Sequence, residues 1–140
     1  MKYLPILFAS FVLVACSGTG EKYGSAVDTQ ITSEEGTVFI TRDSGFGGPR
    51  MPVAVALNGI EIGTVDNDET LTARAKKGEN IISAWTTKVG SMFYASNEYF
   101  FSSDGQTISY FIVSLKNSFF DNRINIAETT EKSWKQAAQD

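Results

Sequence analysis

No histidine occurs in the 140-residue chain, there is one cysteine, and only three prolines interrupt it. The missing imidazole excludes Ser-His-Asp and Cys-His nucleophilic catalysis and every metal site built on histidine. The solitary Cys16 excludes an intrachain disulfide and a thiolate zinc cluster. Basic residues are sparse as well. Lys76-Lys77 is the longest basic run, and twelve Lys and Arg face sixteen Asp and Glu, for a net charge of −4 at pH 7. An acidic chain without a basic stripe is unsuited to nucleic acid. Carboxylate-pair chemistry survives these absences, since it needs only two acidic side chains across a cleft. Sixteen acidic residues supply such pairs by chance. The chain is therefore read as a non-enzyme, with no cofactor and no metal.

A long apolar run is also missing. Residues 3–15 are apolar apart from Pro5 and Ser10, and Lys2 is the only charge before Glu21. Thirteen helical residues reach roughly 20 Å, short of a hydrocarbon core of about 30 Å. A basic residue followed by a short apolar stretch instead suits a secretory signal. That stretch ends in Leu13-Val14-Ala15-Cys16. It resembles the lipobox of bacterial lipoprotein signals, and the chain's one cysteine stands where the motif requires it.

The resemblance implies loss of residues 1–15, a diacylglyceryl group on the Cys16 sulfur, and acylation of the new amino terminus. Membrane association then runs through Cys16, and two or three acyl chains anchor stably where one is marginal. Ser17, rather than aspartate, follows the cysteine. That implies the outer membrane, inner leaflet, with the protein facing the periplasm. The single Lys before the apolar run and the early Pro5 depart from the pattern. Residues 17–36 are rich in Gly, Ser, Thr and Glu and poor in large apolar side chains. Such a stretch cannot offset its ordering entropy and is expected to be a tether.

From residue 37 onward the hydrophobic period is two, not 3.6. Residues 37–42 (Thr-Val-Phe-Ile-Thr-Arg) form a β-branched, aromatic first strand, and Gly45-Phe-Gly-Gly-Pro49 a glycine-rich connection. Val53-Ala-Val-Ala-Leu57, Asn58-Gly59 and Ile60-Glu-Ile-Gly63 predict a two-residue type I′ hairpin. In that register Leu57 opposes Ile60, Val55 opposes Ile62, and Val53 opposes Thr64. Further strands are expected over 69–75, 80–88, 98–102, 107–115 and 123–127, with turns at Lys77-Gly78 and Ser103-Asp104-Gly105. Thr130, as an N-cap before Glu131, allows a short terminal helix with Trp134 and Ala138 on one stripe. The fold class is all-β: a small antiparallel β-sandwich of seven or eight strands, or a closely related barrel, over 37–127, with a tail over 128–140.

Val38-Phe-Ile-x-Arg42 followed by Val55-x-Leu57-Asn58-Gly59-x-x-Ile62-Gly63 resembles a family of small bacterial lipoproteins built on a domain of unknown function, related in style to the PEGA β-sandwich. Lys77-Gly78, Gly105-Gln-Thr107 and Tyr110 stand where that family has its later turns and final strand. The resemblance spans residues 37–115 and implies fold and location, not an activity.

Candidate chemistry is thin. Asp66-Asn67-Asp68-Glu69 is the densest acidic cluster, but a calcium loop of the EF type needs Gly and Glu where Leu71 and Lys77 stand. It is read as a solvated turn. Glu61, Glu69 and Glu98 are placed outward by alternation, and Arg42 and Arg50 are read as surface charges. Phe39, Phe100, Phe101, Phe111 and Trp85 are assigned to the core. Phe93-Tyr94 and Phe119-Phe120 sit among Gly, Ser, Asn and Asp. As loop aromatics they are the candidate binding residues. The expectation is a lipid-anchored envelope protein acting as a non-catalytic interaction module or accessory subunit with a protein partner. Glycan or small-ligand binding through the same four aromatics is the alternative.

Overall fold

Asn58 and Gly59 fix the first point of the architecture. Both have positive φ, 52° and 80°, as a type I′ turn requires. The computed structural model describes residues 36–43, 51–67, 69–86, 94–119 and 121–139, together with the backbone of Glu21 and Lys22. Among these residues the elements run β1 (Glu21–Lys22), β2 (Gly36–Arg42), β3 (Val53–Leu57), β4 (Ile60–Val65), β5 (Glu69–Ala75), β6 (Gly78–Thr86), β7 (Asn97–Ser103), β8 (Ser109–Ser118), β9 (Asp121–Thr129) and α1 (Glu131–Gln139). The expected signal segment, Cys16 and the glycine-rich connection after Asp43 lie outside the described residues. Glu21 and Lys22, within the expected tether, pair with Thr70 and Glu69 of β5.

Two sheets face each other, one ordered β1-β5-β2-β8-β9 and the other β4-β3-β6-β7. The protein is a small all-β sandwich with one terminal helix. Among the named strands of the described residues, pairing is antiparallel except that β2 runs parallel to β8, Val38 beside Ser109 and Ile40 beside Phe111; an isolated bridge from Ala95 to Arg123 is also parallel. Parallel neighbours need a crossover, and here the whole β4-β3-β6-β7 sheet intervenes in the chain between β2 and β8.

Alternation fills the space between the sheets. Val38 and Ile40 of β2, Leu71 of β5, Phe111 and Val113 of β8, and Ile124 of β9 meet Val53, Val55, Ile82 and Phe101 from the opposite sheet. Phe101 and Phe111 pack at 4.9 Å between ring centroids, and Tyr99 meets Phe111 edge-on at 5.6 Å. Arrangements of this kind suit the ring quadrupoles.

The hairpin departs from its expected register. Leu57 opposes Ile60 and Ala56 opposes Glu61, but a bulge follows, so Val55 faces Gly63 and Val53 faces Val65. The cause is burial. Without the extra residue Val65 would point away from the core, and with it Val65 is fully buried against Val53. Gly63 has φ 146°, a value that suits glycine at a bulge on an edge strand.

A buried asparagine locks the same corner. Asn80 Nδ2 donates to the carbonyls of Lys76 (2.8 Å) and Gly78 (2.9 Å), while its Oδ1 accepts from Lys76 N (3.2 Å) and Asn58 Nδ2 (2.9 Å). Every polar group of a side chain removed from water is thereby satisfied.

Helix α1 starts as its cap dictates: Ser133 N donates to Thr130 Oγ1 at 3.3 Å. Its buried stripe is Trp134 and Ala138. Trp134 sits 5.4 Å from both Phe39 and Tyr110, which stack on each other at 5.6 Å. The helix therefore closes the outer face of β2 and β8.

Candidate interaction surface

The acidic turn proves structural. Arg42 ends β2 on the core side, with its side chain 1% exposed, and donates from Nη1 to the Met51 carbonyl and to Asp66 Oδ1, the latter at 3.1 Å. Burial pushes the Arg42 guanidinium below its ordinary pKa, while the charges of Asp66 and then Tyr94 raise it; it stays cationic. Asp66 N donates to Glu69 Oε2 at 2.9 Å, and Thr41 Oγ1 donates to the Glu69 carbonyl at 3.0 Å. Arg42 is thus a buried partner of Asp66 rather than a surface charge. Glu69, expected outward, is buried because it shares the inward face of β5 with Leu71. Among the described residues no group of three or more His, Cys, Asp and Glu side chains is placed to hold a metal ion.

The candidate aromatics separate. Tyr94 is buried and belongs to the core cluster. The next residue, Ala95, explains why: its N–H donates to the Asn122 carbonyl and its carbonyl accepts from Ile124 N. That pins the segment along β9 and turns the Tyr94 ring inward, out of reach of a partner. Phe119 stands at the tip of the β8–β9 hairpin and is completely exposed. Phe93 and Phe120 lie outside the described residues, as do Cys16 and Arg50.

A surface that sequence reasoning passed over lies on the outside of the β4-β3-β6-β7 sheet. Phe100, assigned to the core beside Phe101, is 63% exposed. Adjacent strand residues point to opposite faces, so only one of the two can be inside. That alternation was the signal available in the sequence. Phe100 pairs across to Ile81. Farther along, Ala56 pairs with Ser83 and Ala54 with Trp85. The result is an apolar face in which Ala54 and Ala56 are buried at the middle, while Ile81 and Trp85 are partly exposed and Phe100 is exposed. Glu61, opposite Ala56, and Glu98, opposite Ser83, stand on the same face in one row across four strands. Three strand spacings separate their backbones by about 14 Å, wider than paired-carboxylate hydrolysis uses.

Two open clefts lie elsewhere on the described surface. One, of ≈ 370 Å³, lies at the corner of β4 and β5 between Leu57, Ile60, Ile62, Ala73 and Arg74. The other, of ≈ 430 Å³, is lined by Asp43, Lys116 and Asp121 near the Phe119 hairpin. No helix among the described residues is long and apolar enough to cross a membrane. No family model, curated protein or solved structure matches the chain.

Proposed function

We propose that this chain is a lipid-anchored protein of a bacterial cell envelope, held at Cys16 and facing the periplasm, that acts as a non-catalytic interaction module or accessory subunit. The observation that carries the reading is the large apolar side chains left outside an otherwise filled sandwich: Phe119 on its hairpin tip and Phe100 on its sheet face. Aromatic side chains on a rigid frame lose little entropy when they dock, and such residues dominate interface energetics. The anchor rests on Leu13-Val14-Ala15-Cys16. A second reading, glycan stacking, draws on Trp85 and Phe100 sharing a face with Glu61 and Glu98, rings and carboxylates being the groups that hold a sugar; Tyr94 takes no part in it.

The test expresses the full chain in a bacterium with a photocrosslinker at position 119 or 100, alongside metabolic labelling with an alkyne fatty acid. The expected result is fatty-acid label that disappears in Cys16→Ala, and one discrete cross-linked protein. Absence of label would overturn the anchor. Cross-links only to cell-wall material would overturn the protein-partner reading in favour of glycan.

A further inference from the structure

We infer that the outer face of the β4-β3-β6-β7 sheet is a docking surface for a cationic polypeptide segment, one that carries Lys or Arg beside apolar residues. The inference rests on the interaction-module reading and names the chemistry of the partner. The accessible apolar part of the face is the exposed Phe100 with the partly exposed Ile81 and Trp85, around the buried Ala54 and Ala56.

Its charge is of one sign. The four strands contain Glu61, Glu79 and Glu98 and neither Lys nor Arg. Alternation brings all three carboxylates to the outer side, Glu61 opposite Ala56, Glu98 opposite Ser83 and Glu79 opposite Ser102. All three are exposed. The other sheet is different: Arg42, Arg74, Lys116 and Arg123 are interspersed with its acids.

Charge complementarity selects the occupant. A second copy of the face would set glutamate against glutamate, and an anionic lipid surface would be repelled. An uncharged strand would strip water from three carboxylates and return nothing. A Lys- or Arg-bearing segment neutralises the rim, and a guanidinium can also lie over the Phe100 or Trp85 ring. An apolar centre inside a complementary charged rim is how protein interfaces are built.

The test measures fluorescence anisotropy of a labelled peptide of alternating Arg and Leu on the full chain. Binding is expected to weaken at least about tenfold in the triple variant Glu61→Gln/Glu79→Gln/Glu98→Gln, and as salt is raised. Phe100→Ala should weaken it several-fold. The charge-matched control Asp121→Asn/Glu128→Gln/Glu131→Gln, which removes three carboxylates elsewhere, should bind as the parent does. Equal losses in the two triple variants would reduce the effect to diffuse attraction by an acidic protein and overturn the proposal. Binding of neutral chitotetraose at Phe100 without peptide binding would overturn it for a glycan site. A cross-linked envelope protein that the Glu61/Glu79/Glu98 variant retains would sink this face while leaving the interaction module standing.

Discussion

The outer faces of the two sheets begin from similar strands and end in opposite conditions. On the β1-β5-β2-β8-β9 sheet, Phe39 and Tyr110 point away from the core and are covered by Trp134 of α1. On the β4-β3-β6-β7 sheet, Phe100, Ile81 and Trp85 point away from the core and no described helix lies over them. Both faces are apolar enough to be closed, and among the described residues the first has a helix as its cover and the second has none. The cover carries its own charges, with Lys135 paired to Glu131 on the helix, whereas the open face is rimmed by Glu61, Glu79 and Glu98. A covered face is part of the folded state's stability. On the interaction reading proposed above, an open one is stability held back for association.

The sharpest way to break this comparison is to remove the cover. Trp134→Ala deletes a side chain that is 2% exposed and should cost about 3–5 kcal/mol, read as a shift of the urea midpoint with an unchanged slope. A loss under about 1 kcal/mol would mean that the helix rests on the sheet without supporting it.

Next in size comes one half of an adjacent pair. Phe101→Ala empties a core position against Phe111 and should cost a similar 3–4 kcal/mol or so. Phe100→Ala, one residue away on the open face, comes last in the ranking at about 0.5 kcal/mol or less. Urea unfolding of both variants measures the difference between the two sides of β7. Equal losses would mean that the face is not open.

Between these lies a pH effect confined to the covered face. Burial, and then the charge of Glu131, hold the Tyr110 hydroxyl above its ordinary pKa of 10.0, while Lys135 lowers it. The folded state thus favours the neutral phenol. Its contribution is complete below the ordinary value and is lost as pH rises through the higher folded one. Urea midpoints collected through the alkaline range should fall more steeply for the parent than for Tyr110→Phe. Superimposable curves would show that the helix does not shield this hydroxyl.

Much of the frame was legible in the residues. The Asn58-Gly59 turn, the strand over 69–75 and the helix after Thr130 follow from local chemistry: positive φ for Asn and Gly, period-two alternation, and a hydroxyl cap. These depend on neighbours a few positions away, so a single sequence carries them. The bulge at Gly63 was not legible, because it answers the demand that Val65 reach a core built by distant strands. Arg42 and Asp66 could not be paired from the sequence either. Twenty-four residues separate them, and only the meeting of the end of β2 with the turn after β4 brings them together.

The candidate surface followed the same division. The loop position of Phe119 between two strands was expected from its composition, and the residue is exposed there. Tyr94 looked the same in sequence, yet the pairing of Ala95 with β9 turned it inward. Phe100 was hidden by its neighbour Phe101, since a pair of aromatics on a strand reads as core until one knows which face is inside. By itself the sequence determined the chemistry excluded, the period of the strands, the turns and the cap, because these are written in residue type and short spacing. The tertiary structure decided the parallel β2–β8 pairing, the buried Arg42–Asp66 contact and which aromatics face outward. Each depends on which distant strands become neighbours, and that is settled by the burial of the whole core.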